Sequence, residues 1–89
     1  MLREALAYHI RNMPAGDYRI GQCHETLGFC LAQQGCFQEG EDHLVEGIRI
    51  LAGNPDKAYR YLDRAIFRLC MLYEDWDKPE RYREWAVFL

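Results

Sequence analysis

The sequence predicts an all-α fold, a short α-solenoid of about five helices arranged as antiparallel pairs. Three observations lead there. Apolar residues recur at steps of three and four along most of the chain, which places them on one face of a 3.6-residue helix. Pro14, Gly16, Gly35, Gly53, Pro55 and Pro79 fall between those stretches, where such residues stop one helix and start the next. One stretch also repeats another at a fixed offset, the signature of stacked helical units.

The first helix is predicted over residues 2–12, with Leu2, Leu6, Ile10 and Met13 on one face and Pro14-Ala15-Gly16 breaking it. The second runs from Tyr18 to Gln34. Ile20, Cys23, Leu27, Cys30 and Leu31 share its core face, and Gly35 suits a left-handed C-cap. The third runs from Gln38 to Ala52, preceded by Phe37. It carries Leu44, Ile48 and Leu51 on one side and is stopped by Gly53 and Pro55. The fourth, from Asp56 to Trp76, has the longest stripe: Ala58, Tyr61, Leu62, Ala65, Ile66, Leu69, Leu72, Tyr73 and Trp76. Asn54 or Asp56 can cap it, and Pro55 fits its first turn. A short fifth helix follows Pro79 with Tyr82, Trp85, Ala86 and Leu89. No stretch alternates apolar and polar residues between turns, so no strand is expected. The short connections imply antiparallel neighbours.

The 89 residues make a single domain, 1–89. A hydrophobic content of 49% is too high for disorder, and no apolar run reaches the roughly 20 residues that cross a bilayer. With 14 acids against 11 bases the net charge is −3, which argues against nucleic acid as a partner. The N-terminal Met1-Leu2-Arg3-Glu4-Ala5 lacks the basic segment and long apolar core of a secretory signal. Four cysteines without a Cys-x-x-Cys pair fit reduced thiols and a cytoplasmic setting.

The repeat sets Leu27, Gly28, Leu31, Gly35, Phe37, Gly40 and Leu44 against Leu69, Cys70, Tyr73, Asp77, Pro79, Tyr82 and Ala86, each 42 residues further on. Together with Gly47, the first set resembles the tetratricopeptide repeat, which wants Leu-Gly, a large residue, a Gly turn, an aromatic and then small, large and small residues in that order. The 42-residue spacing is similar to the longer repeats of kinesin light chains and of arrays that follow bacterial serine/threonine kinase domains. The resemblance covers about residues 18–89 and divides the chain into a half repeat (1–13), a repeat (18–53) and a terminal repeat (56–89). Gly40 and Gly47 depart from the usual alanines. Each costs on the order of 1 kcal/mol in a helix, and closer helix approach would offset it. Cys70 and Tyr82 depart as well, as terminal repeats often do. About three repeats are usually needed for stability, so the chain sits near that limit, which leaves open a longer array or self-association through apolar ends that include Leu2, Leu6, Trp85, Val87, Phe88 and Leu89.

The resemblance implies a protein-interaction scaffold without catalytic activity, whose partner is a peptide or helix lying in a concave groove. That groove is formed by the first helix of each pair. It would carry Gln22, Glu25 and Phe29, with Thr26, Ala32 and Gln33, and then Arg64, Phe67, Arg68 and Met71, with Glu74 and Asp75. Periodicity adds independent weight, because Phe29, Phe67 and Met71 lie off their helices' core stripes. Packing against another helix is the alternative. Arg60, Arg64 and Arg68 form a basic stripe. Arg64 and Arg68 fall where peptide-terminus-binding members of the family are basic, but Glu25 and Phe29 stand where those members want Lys and Asn. A general acidic peptide therefore fits better than a chaperone tail. A solvated stripe paired with Asp56, Asp63, Glu41 or Glu46 is the reading expected first for these arginines, and acidic-peptide binding the alternative.

Two other functions are open to this sequence. One is a homo-oligomerisation domain joined through the apolar ends. The other is a small metal or redox site on Cys23, Cys30 and Cys36 with His24. The latter is disfavoured because the cysteines lack zinc-knuckle spacing and Cys23 and Cys30 read as core residues. No cofactor and no metal is expected. His9, His24 and His43 fall on three different helices, with no nucleophile signature around them.

Overall fold

The computed structural model describes residues 2–89, apart from the side chains of Leu2 and Ala58. The expected placements of those two side chains in the core stripes lie outside the described residues. Five helices follow in order: α1 (Leu2–Asn12), α2 (Tyr18–Gln33), α3 (Phe37–Ala52), α4 (Pro55–Asp75) and α5 (Pro79–Ala86). The fold is all-α, with no strand among the described residues.

Helices α2 and α3 form a tight antiparallel hairpin because glycines let their backbones meet. A Cβ placed on Gly28 would lie 2.8 Å from the Gly40 carbonyl oxygen and 2.9 Å from the Leu44 nitrogen. One turn-pair away, a Cβ on Gly47 would lie 2.9 Å from the Gly21 carbonyl oxygen. The closer approach expected of Gly40 and Gly47 is therefore present, and Gly21 and Gly28 share in it.

Helix α4 packs across this hairpin. Leu44, Ile48 and Leu51 of α3 are buried against Ala65, Ile66, Leu69, Cys70, Leu72 and Tyr73 of α4. Trp76, Tyr82 and Trp85 flank that cluster and bring in α5. A smaller cluster joins Leu6 of α1 to Ile20, Leu27 and Leu31 of α2 and Ile50 of α3. Leu69 is wholly buried, and its replacement by alanine is expected to cost roughly 2–5 kcal/mol in a chemical unfolding curve.

The turns after α2 and α4 are built alike. Gly35 has φ +83°, and the Cys36 amide donates to the Leu31 carbonyl at 2.9 Å. Asp77, 42 residues later, has φ +58°, and the Lys78 amide donates to the Tyr73 carbonyl at 2.9 Å. The offset found in the sequence is thus also the offset of the backbone turn. Asp77 holds a left-handed conformation that glycine adopts without steric cost. Asp77→Gly is expected to raise the unfolding free energy by about 0.5–1 kcal/mol, and a lower melting temperature would contradict that.

Three local expectations are corrected. Ile10 is 56% exposed, because α1 meets α2 along Leu6 and Met13, with His9 half-buried between them. Asn54 sits at the N-cap of α4 without capping it; its side-chain amide donates instead to the carbonyls of Gly16 (2.8 Å) and Ile50 (2.9 Å), tying the α1–α2 turn to the end of α3. Helix α5 stops at Ala86, so Leu89 is not on its apolar face and is 62% exposed.

Candidate functional site

The face shared by α2 and α4 carries the residues expected to bind a peptide, and Glu25 organises them. Its side chain is fully buried, the only buried charged side chain among the described residues. A carboxylate out of water needs partners. Glu25 has three: Arg64 Nε donates to Oε1 at 2.8 Å, Arg68 Nη1 to both oxygens at 3.1 Å, and the Thr26 hydroxyl to Oε2 at 3.2 Å. Residues 39 and 43 positions apart in sequence thereby join α2 to α4.

The basic stripe is therefore paired differently from expectation. Arg64 and Arg68 do not take Asp56, Asp63, Glu41 or Glu46. Glu41 accepts from the Tyr73 hydroxyl at 2.7 Å and from Arg81 at 3.1 Å, while Glu46 holds Arg49 one turn along α3. Burial and the Glu41 carboxylate hold the Tyr73 hydroxyl well above its ordinary range, so it stays a donor. Glu25 itself, expected on the open wall of the groove, lies beneath it and acts on the surface only through the two arginines.

Those arginines remain partly open. The Arg64 side chain is 42% exposed and that of Arg68 21%. The Arg68 guanidinium lies 3.9 Å from the centre of the Phe29 ring, and that of Arg64 lies 5.3 Å from the Tyr61 ring. Each is thus held by a carboxylate on one side and an aromatic face on another, with part of the side chain left exposed. Phe67 and Met71, on the same side of α4, are 54% and 39% exposed. Large apolar side chains at that exposure are not core, as the periodicity predicted. Toward the N-terminal end of α4, Lys57, Tyr59, Arg60, Tyr61 and Arg64 border an open depression in the surface.

The structure thus brings Glu25, Phe29, Arg64 and Arg68 into contact and sets Phe67 and Met71 beside them. Gln22 lies one turn earlier on α2, half-buried, with no side-chain hydrogen bond to the cluster. Tyr61 is a further member of this face that the sequence does not mark. Tyr61 read as core and does pack at the core's edge, so its second role beneath Arg64 had no separate signal.

The cysteines do not gather. Cys36 is exposed, Cys70 is buried, and Cys23 and Cys30 are half-buried rather than core. Burial raises the thiols of Cys23 and Cys70 above their ordinary range, which makes them poor nucleophiles. Among the described residues no three His, Cys, Asp or Glu side chains converge as a metal cluster. No described helix is long and apolar enough to cross a membrane. No family model, curated protein or solved structure matches this chain.

Proposed function

We propose that this chain is a protein-interaction module of the tetratricopeptide type that docks an extended acidic peptide along the α2–α4 face. One observation carries the reading: exposed Phe67 and Met71 flank two arginines that a fully buried glutamate holds in place. Apolar anchors beside oriented guanidiniums complement a segment that alternates acidic and apolar side chains. Holding the arginines rigid lowers the entropy lost on binding. The four free thiols fit a reducing, cytoplasmic setting.

Selection from a displayed library of random peptides tests this. Enriched sequences are expected to be acidic with one or two large apolar residues, and to bind more weakly at high salt. Phe67→Ala is expected to weaken them about tenfold or more while leaving the unfolding free energy within about 0.5 kcal/mol. Failure to enrich, or binding indifferent to Phe67, would overturn the proposal.

A second reading, self-assembly, rests on Val87, Phe88 and Leu89, which are 78%, 63% and 62% exposed. Light scattering across a wide concentration range separates the two. The leading reading expects a constant mass near 10.6 kDa, and the second a mass that rises with concentration and returns to monomer on Phe88→Ser.

A further inference from the structure

Away from the peptide face, α2 and α3 bring two histidines together. The Nδ1 atoms of His24 and His43 lie 3.0 Å apart, the ring centres 5.2 Å apart, and the ring planes 29° from parallel. The two Nδ1 atoms therefore point at one another, and neither has another hydrogen-bond partner among the described residues. Both rings are half-buried, and the tight glycine hairpin fixes the helices that carry them.

We propose that His24 and His43 form an open site for a divalent transition-metal ion, coordinated by the two Nδ1 atoms. Imidazole nitrogen suits Zn²⁺, Ni²⁺ and Cu²⁺. At metal–nitrogen distances of about 2.0–2.1 Å, two nitrogens on one ion lie about 2.9 Å apart at a right angle and about 3.3 Å apart at the tetrahedral angle. The observed 3.0 Å falls within that span, and binding requires both rings to turn so that the lone pairs, now aimed at each other, converge on one ion. The proton now shared between the Nδ1 atoms moves through solvent to the Nε2 of its own ring. Both rings then coordinate as neutral Nε2–H tautomers, and no oxidation or net proton release is involved.

Charge around the pair is close to balanced: Glu39 pairs with Arg3 and Glu46 with Arg49, and Asp42 adds one carboxylate on the His43 side. Burial, and for His24 the neighbouring ring, lower both imidazoles below their ordinary range and keep their lone pairs available at neutral pH. The described residues supply no third protein ligand. Water completes the coordination, as in open sites rather than closed structural ones.

Titration of the purified chain with Zn²⁺ tests the proposal. One equivalent is expected to bind per chain and to raise the melting temperature, with reversal by a chelator and weakening below about pH 6 as protons compete. His24→Gln and His43→Gln should each weaken binding at least tenfold. If either variant fails to fold, ring-nitrogen NMR of the native chain decides the matter, because Zn²⁺ must shift the Nδ1 resonances of both rings. Absence of stoichiometric binding, shifts at Nε2 alone, or unchanged binding in His24→Gln/His43→Gln would overturn it.

Discussion

Replacing both Arg64 and Arg68 with leucine is expected to lower the unfolding free energy by about 3–5 kcal/mol, because Glu25 would then keep a charge with no water and no cation beside it. Either single replacement should cost less, since the other guanidinium still reaches the same carboxylate. Adding Glu25→Leu to the double variant should recover most of the loss, because a buried ion cluster replaced by apolar side chains of similar size is often neutral in stability. Chemical unfolding of the single, double and triple variants checks all three statements. A double variant as stable as the parent, or a triple variant no better than the double, would contradict the account of Glu25. The same series bears on function, because the triple variant keeps the fold and loses the oriented guanidiniums. It should therefore lose acidic-peptide binding without losing helix content.

Gly28→Ala is expected to cost about 2 kcal/mol, although alanine in a helix is ordinarily worth about 1 kcal/mol over glycine. The added carbon would meet the Gly40 carbonyl oxygen at 2.8 Å, the Leu44 side chain at 2.8 Å and the Leu44 amide nitrogen at 2.9 Å. Two of those three atoms are backbone and cannot rotate away, so α3 must move. Movement of α3 disturbs Leu44 and Leu51, which are wholly buried against α4. Thermal or denaturant unfolding gives the sign directly, and a Gly28→Ala variant more stable than the parent would show that the α2–α3 approach is looser than described.

Much of this architecture is legible in the sequence, and the reason is local. Helix α4 announces itself by an apolar step pattern that only a 3.6-residue period fits, and Pro55 and Pro79 mark the starts of α4 and α5. Gly35 and Asp77 occupy matching left-handed turns because the 42-residue offset carries the same hydrogen-bonding requirement twice. Phe67 and Met71 fall off that stripe, which left an open face and packing on another helix both in play, and the structure leaves both side chains exposed. What could not be read is what depends on distant residues meeting. Glu25 looks like any surface glutamate of α2, and only the parallel placement of α4 beside α2 buries it under Arg64 and Arg68. The contact between His24 and His43 depends in the same way on hairpin register. That register is set by the close approach of Gly21 and Gly28 to Gly47 and Gly40. Ile10 shares the apolar period of α1 yet is exposed, because period alone cannot choose between neighbouring faces of so short a helix.

The most direct test of the interaction face is a two-dimensional amide NMR titration of the chain with an extended peptide of alternating glutamate and leucine. The account predicts saturable shift changes centred on Phe29, Arg60, Arg64, Phe67, Arg68 and Met71, smaller at high salt and lost in Phe67→Ala. Changes confined to Val87, Phe88 and Leu89, or no saturable change anywhere, would contradict it.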